Sequence, residues 1–179
     1  MDNKQRALRI EKLAVAARLH DIAIQMTEGE ASRLMKIYAV LERLDPGVYL
    51  IGAGPHTQGV FSLMCEKIVI GRLATPLEEL LHEPVDVHVN DGATLTPREV
   101  SRVHCMICRG KGMTRQDYWL IDRGSTCGTY LNGEKLDPPT TPSPEDVALA
   151  RRTLSDGDVI SLGPSGVNNF LFVDLRKRK

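Results

Sequence analysis

Ser125-Thr126-Cys127-Gly128-Thr129-Tyr130-Leu131-Asn132-Gly133 follows a strand-like Tyr118-Trp119-Leu120-Ile121-Asp122 and crowds small hydroxyl residues and glycines into a tight turn. Backbone N–H groups in such a turn can converge on an anion. Upstream, Ser101-Arg102-Val103-His104 runs straight into another alternating apolar stretch. Neither segment is a catalytic signature. Together they describe an anion site carried by loops on a β scaffold.

The flanking sequence supplies that scaffold. From Val48 onward, short β-prone runs recur: Val48 to Ile51, Val60 to Met64, Lys67 to Ile70, Asp86 to Val89, Val103 to Ile107, Tyr118 to Asp122, Tyr130-Leu131, Val159 to Leu162 and Phe170 to Val173. Breakers such as Gly52-Ala53-Gly54-Pro55 separate them. Many short strands with turn signals between them predict a mainly β fold, a sandwich. Two insertions interrupt the pattern. Thr75-Pro76-Leu77-Glu78-Glu79-Leu80-Leu81 has a threonine cap, a proline at the first helical position and a glutamate closing the box, which predicts a short helix. Asp137 to Pro144 is rich in proline and threonine, and Ser143-Pro144-Glu145-Asp146 starts a second helix expected to end near Arg152. Thr141-Pro142 and Ser143-Pro144 fit proline-directed phosphorylation, with exposed loop as the simpler reading.

Residues 4–44 read as helix, with strong helix formers, no proline and Gly29 the one glycine. Leu8, Val15, Leu19, Ile22 and Met26 share one helical face, and Leu34, Ile37, Leu41 and Leu44 continue it after a break. Thr27-Glu28-Gly29-Glu30 resembles a capping box, so the region is either a helical hairpin or one long helix with a weak joint. Asp45-Pro46-Gly47 stops it. Its apolar face packs on the following domain or on itself, or else pairs two copies as a homodimer through residues 4–44. The expected division is a helical segment at 1–46 and a β-sandwich at 47–179, with insertions near 73–85, 90–99 and 137–152.

The 179 residues suit one domain with an appendage, and 42% hydrophobic content is enough for a core. Twenty-three basic residues balance 23 acidic ones, which argues against a general nucleic-acid binder. No apolar run approaches the length of a membrane span, and the N-terminus lacks the apolar block of a signal peptide, so a cytoplasmic location with reduced cysteines is expected. Cys105 and Cys108 form a Cys-x-x-Cys, but in a strand residues three apart point to opposite faces, so no metal site and no cofactor are expected.

Enzymatic motifs are missing. There is no Gly-x-Ser-x-Gly elbow, no phosphate loop ending in Gly-Lys-Ser/Thr and no His-Glu-x-x-His, and the five histidines lack paired ligand spacing. What remains are donors. Arg72 follows Gly71 at a strand end and offers a planar fork suited to phosphate. Ser101 and Arg102 sit at another strand entry, and Thr126 lies in the small-residue turn.

Gly71-Arg72, Ser101-Arg102-Val103-His104, the segment from Trp119 to Gly133 and Leu154 to Gly163 occur in the order and spacing that closely resemble the forkhead-associated (FHA) domain. The resemblance covers roughly residues 48 to 175. It implies a β-sandwich of about eleven strands whose loops at one end bind phosphothreonine peptides. By that resemblance Arg72 contacts the phosphate, Ser101 donates its hydroxyl to it, Arg102 adds a contact and Thr126 completes the pocket. His104 braces the loops, Gly71, Gly128, Thr129 and Asn132 support the site, and Asp156-Gly157-Asp158 shapes a remote hairpin.

Two departures bear on function. Cys127 stands where most members carry an asparagine that hydrogen-bonds the peptide backbone, and a thiol is a weak donor that cannot reproduce both ends of an amide. Glu99, two residues ahead of Ser101, would repel an acidic peptide flank if it faced the groove. The expected function is a phosphothreonine-peptide-binding signalling adaptor in a Ser/Thr kinase pathway, its partner a phosphorylated kinase or kinase substrate. The alternative is an FHA-fold interaction protein with weakened or lost phosphopeptide binding that acts through its N-terminal helices.

Overall fold

The computed structural model describes residues 30–54, 57, 59–72, 84–89, 99–110 and 117–176. Along the chain come helix α1 (Glu30–Arg43) and strands β1 (Val48–Gly52), β2 (Val60–Ser62), β3 (Lys67–Arg72), β4 (Val87–Val89), β5 (Cys105–Arg109) and β6 (Tyr118–Asp122). Then follow β7 (Thr129–Leu131), β8 (Glu134–Lys135), helix α2 (Pro144–Ala150), β9 (Arg152–Leu154), β10 (Val159–Leu162) and β11 (Asn169–Asp174). The helix expected at Thr75 to Leu81 and the part of the expected N-terminal helix before Glu30 lie outside the described residues.

The strands form two sheets, ordered β2-β1-β11-β10-β7-β8 and β4-β3-β5-β6-β9. All strand pairs are antiparallel except β3 with β4. A parallel pair such as β3 with β4 cannot be joined by a two-residue hairpin. Between the sheets, Leu50, Ile160, Leu162, Phe170 and Phe172 meet Ile68, Ile70, Cys105, Ile107, Tyr118 and Leu120 in one buried core. The alternate residues of the first sheet, Ile51, Val159, Leu171 and Val173, face the other way. Helix α1 covers them with Ile37 and Leu41, both buried, and with Leu34 and Val40 at the edges, and Leu44 packs there just past the helix end. Of the expected uses of that helical face, packing on the following domain is therefore the one realised from Leu34 onward. It also explains why Phe170-Leu171-Phe172-Val173 is apolar without alternation: β11 is buried on both faces.

Three details differ from expectation. β5 begins at Cys105, not Val103, because the Val103-His104 backbone is drawn into the preceding loop, although His104 N–H still bonds Ile70 O at 2.9 Å. The second insertion helix stops at Ala150, because Arg152-Thr153-Leu154 pairs with β6 and buries Leu154. Its start is as expected, with Ser143 Oγ accepting from Asp146 N–H at 3.2 Å. Asp156-Gly157-Asp158 does not make a hairpin: it joins β9 in one sheet to β10 in the other, so it is a corner between layers.

Candidate functional site

The antiparallel register gathers the C-terminal ends of β3, β6 and β10 with the segments entering β5 and β7 at one end of the sandwich. That end carries every expected phosphate donor. Gly71 is what lets two of the loops meet. A Cβ there would lie 1.9 Å from the Arg102 carbonyl oxygen, so only glycine admits the Ser101-Arg102 backbone across β3. Arg72 N–H then bonds Ser101 O at 2.9 Å, placing the arginine beside the serine. Arg72 is half-buried and Arg102 exposed.

Ser101 is also joined to the third loop. Its Oγ accepts from Thr126 N–H at 3.1 Å and lies 3.5 Å from Thr126 Oγ1. Thr126 is exposed and Cys127 half-buried in the same turn. His104 braces both loops from beneath, fully buried. Its Nδ1 accepts from Ser101 N–H at 3.0 Å, so its Nε2 carries the proton and donates to Gly128 O at 3.1 Å. Gly128 takes φ +88°, a conformation that suits glycine.

The carboxylate of Asp122, 1% exposed, organises the turn. Oδ1 accepts from Gly124 N–H and Ser125 N–H, each at 2.8 Å. Oδ2 accepts from the hydroxyls of Ser125 at 2.6 Å and Thr129 at 2.5 Å. Ser125 Oγ in turn accepts from Gly128 N–H at 3.0 Å. The Thr129 hydroxyl thus joins the turn to Asp122, while Asp122 and Ser125 themselves were missed. The available signal was an aspartate at a strand end followed by Gly124-Ser125, the composition of a side-chain-capped turn.

Two expectations are corrected here. Asn132 does not support the site: it lies at the other end of β7, at φ +53°, where its side chain bonds Asp158 Oδ1 and Val159 N–H, each at 3.0 Å. It holds the β7–β8 turn to the start of β10. Glu99 does not face a groove: it is buried and turned to Ser165, whose hydroxyl it accepts at 2.5 Å. A negative charge facing an acidic peptide is therefore not its role.

No group of three His, Cys, Asp or Glu side chains suited to a metal occurs among the described residues. Cys105 points into the core and Cys108 does not, as the strand period requires. Burial, and secondarily the Asp122 carboxylate, push the Cys105 thiol well above the ordinary thiol range, outweighing the opposing hydrogen bond with Thr129. It remains protonated and inert. No helix among the described residues is long and apolar enough to cross a membrane.

In this two-sheet sandwich the segments carrying Arg72, Ser101 and Thr126 meet at one end. The FHA domain sequence profile matches residues 68–163, just over half of the chain, and the chain belongs to that family. Among solved structures, full-length yeast Pml1p is similar at 16% identity with a TM-score of 0.52, covering 77% of this chain and 91% of that one. The FHA domain of the CT664 protein from Chlamydia trachomatis is similar at 21% identity with a TM-score of 0.48, covering 71% and 96%. The MEK1 FHA domain, solved with the HOP1 phosphothreonine peptide, is similar at 19% identity with a TM-score of 0.48, covering 73% and 98%. These likenesses concern the fold. No curated protein matches the sequence.

Proposed function

We propose that this chain is a cytoplasmic phosphothreonine-peptide-binding adaptor of a Ser/Thr kinase pathway, and not an enzyme. The observation that carries this reading is the meeting of three loops on Ser101: Arg72 N–H bonds its carbonyl, while Thr126 N–H bonds its hydroxyl. Arg72, Ser101, Arg102 and Thr126 then surround one phosphate, with Cys127 beside it against the peptide.

Magnitudes fit the role. A phosphothreonine carries about −1.5 to −2 charges at neutral pH. Hydrogen bonds to charged groups contribute roughly 1.5–3 kcal/mol each. Three or four of them, less the cost of ordering the peptide, support micromolar affinity, about −8 kcal/mol. Arg72→Ala removes the strongest donor and is expected to weaken binding at least about tenfold, or 1.4 kcal/mol. Titration with a phosphothreonine peptide library and unphosphorylated controls tests both statements. No phosphate-dependent binding by the natural chain, or equal binding by Arg72→Ala, would sink this reading.

Cys127 favours a second reading, an FHA-fold interaction protein whose phosphopeptide binding is weakened and whose partners are reached through its N-terminal helices. The seat of α1 on the sandwich counts against it, because the apolar face from Leu34 to Leu44 is already covered within the chain. Residues 1–29 would have to carry such contacts, including any homodimer.

A further inference from the structure

We infer that Glu99 is a positioning residue for Ser101, acting by locking the β10–β11 loop against the phosphate site as a fourth wall. The inference rests on the phosphopeptide reading and deepens it, since Glu99 belongs to none of the motifs that define the site.

The geometry closes a ring. Glu99 is 8% exposed, and its Oε2 accepts from the Ser165 hydroxyl at 2.5 Å and from Ser165 N–H at 3.3 Å. Ser165 Oγ itself accepts from Val167 N–H at 3.3 Å, so the carboxylate is linked through Ser165 to the loop's next turn. The stem of Glu99 lies against Gly163, where an added Cβ would meet Glu99 Cβ and Oε2 at 2.6 Å. Gly163 sits at φ +89°, so glycine is required there by backbone and by neighbour alike. Gly163 N–H donates to Gly128 O at 2.9 Å, the same oxygen that receives His104 Nε2–H. His104 Nδ1 then accepts from Ser101 N–H, which returns the ring to the segment carrying Glu99.

Between Glu99 and Ser101 stands Val100, 3% exposed and part of the inter-sheet core. Ser101 is thus fixed on its N-terminal side by a carboxylate and a core valine, and on its C-terminal side by His104. A buried carboxylate is retained only when it is hydrogen-bonded, and here Oε2 is held by Ser165 of a different loop. Its chemistry therefore couples the two loops. Without it, Ser101 keeps its own hydrogen bonds but loses the wall that holds their geometry.

A double-mutant cycle tests this in the full chain. With a phosphothreonine peptide found by the library titration, Glu99→Ala is expected to weaken binding about tenfold. In a Ser101→Ala background the same change is expected to cost less than about twofold, because its effect passes through the serine. Glu99→Gln, which keeps an acceptor for the Ser165 hydroxyl, is expected to restore most of the affinity. Amide hydrogen exchange of the free protein reads the same lock without a ligand. Exchange at Ser101 and Gly163 should quicken in Glu99→Ala and in Ser165→Ala, the second variant serving if the first fails to fold. Additive losses in the cycle, or unchanged exchange at Ser101 in both variants, overturn the inference. Absence of phosphopeptide binding by the natural chain would sink the functional reading instead, and the exchange result would still decide whether Glu99 positions Ser101.

Discussion

Asp122→Ala is expected to lower stability by about 3–5 kcal/mol and to abolish phosphopeptide binding at any concentration the natural chain needs. Four donors converge on that carboxylate: the backbone N–H groups of Gly124 and Ser125 and the hydroxyls of Ser125 and Thr129. Removing the acceptor leaves each without its partner, at about 1–3 kcal/mol for a buried group, and water relieves only the outer ones. Against a total stability of about 5–15 kcal/mol this is a large loss. The turn that carries Thr126 would lose its frame even where the sandwich survives. Asp122→Asn gives the internal control. It keeps one oxygen for the two backbone donors, and the hydroxyls can turn to accept from its amide, so its loss should fall between those of Ala and the natural residue. Chemical denaturation with peptide titration checks both. Natural stability and affinity in Asp122→Ala would show that the turn is framed by something else.

Removal of α1 has the second large effect. A chain starting at Asp45 uncovers Ile51, Val159, Leu171 and Val173 on the outer face of one sheet. Ile37 and Leu41, 4% and 0% exposed, are lost with the helix, and each such side chain contributes about 1.5–3 kcal/mol by burial. The melting temperature is expected to fall by roughly 10 °C. The bared apolar face should also drive self-association, since contiguous patches of that kind are rarely left open to water. Light scattering and thermal melts of the two chains check this. A shortened chain that stays monomeric and melts with the full one would mean that α1 contributes nothing where it sits.

Much of this was legible in the sequence, for reasons that differ by element. Strands with strong apolar runs, such as Val48 to Ile51 and Phe170 to Val173, announce themselves because most or all of their side chains are buried. β8 and β9 did not. Glu134-Lys135 is exposed, and in Arg152-Thr153-Leu154 only Leu154 is buried, so partner strands and not composition define them. The site divides in the same way. Gly71, Arg72, Ser101 and His104 are identified by type and spacing; the structure gives Gly71 a close approach that excludes a Cβ and His104 two ring hydrogen bonds, while Arg72 is tied to Ser101 through its backbone N–H. Asp122 acts through partners two to seven residues away, a signal its Gly124-Ser125 neighbours carried, whereas Glu99 acts through a loop that follows it by 66 residues, which no local pattern can reveal. Asn132 shows the converse error: the family resemblance implied a role at the site, but β7 carries it to the far end, against Asp158 and Val159.

The central claim is that a phosphate is read where Arg72, Ser101 and Thr126 meet. The most direct test is a titration of the full chain with a phosphothreonine peptide, followed by backbone amide chemical shifts. The amides of Arg72, Ser101, Thr126 and Gly128 should move in saturable fashion, while Gly133 and Gly157 at the opposite end stay still. The same peptide without phosphate should move none of them. Shifts centred on α1 or on the far end, or equal shifts with the unphosphorylated peptide, would contradict the account.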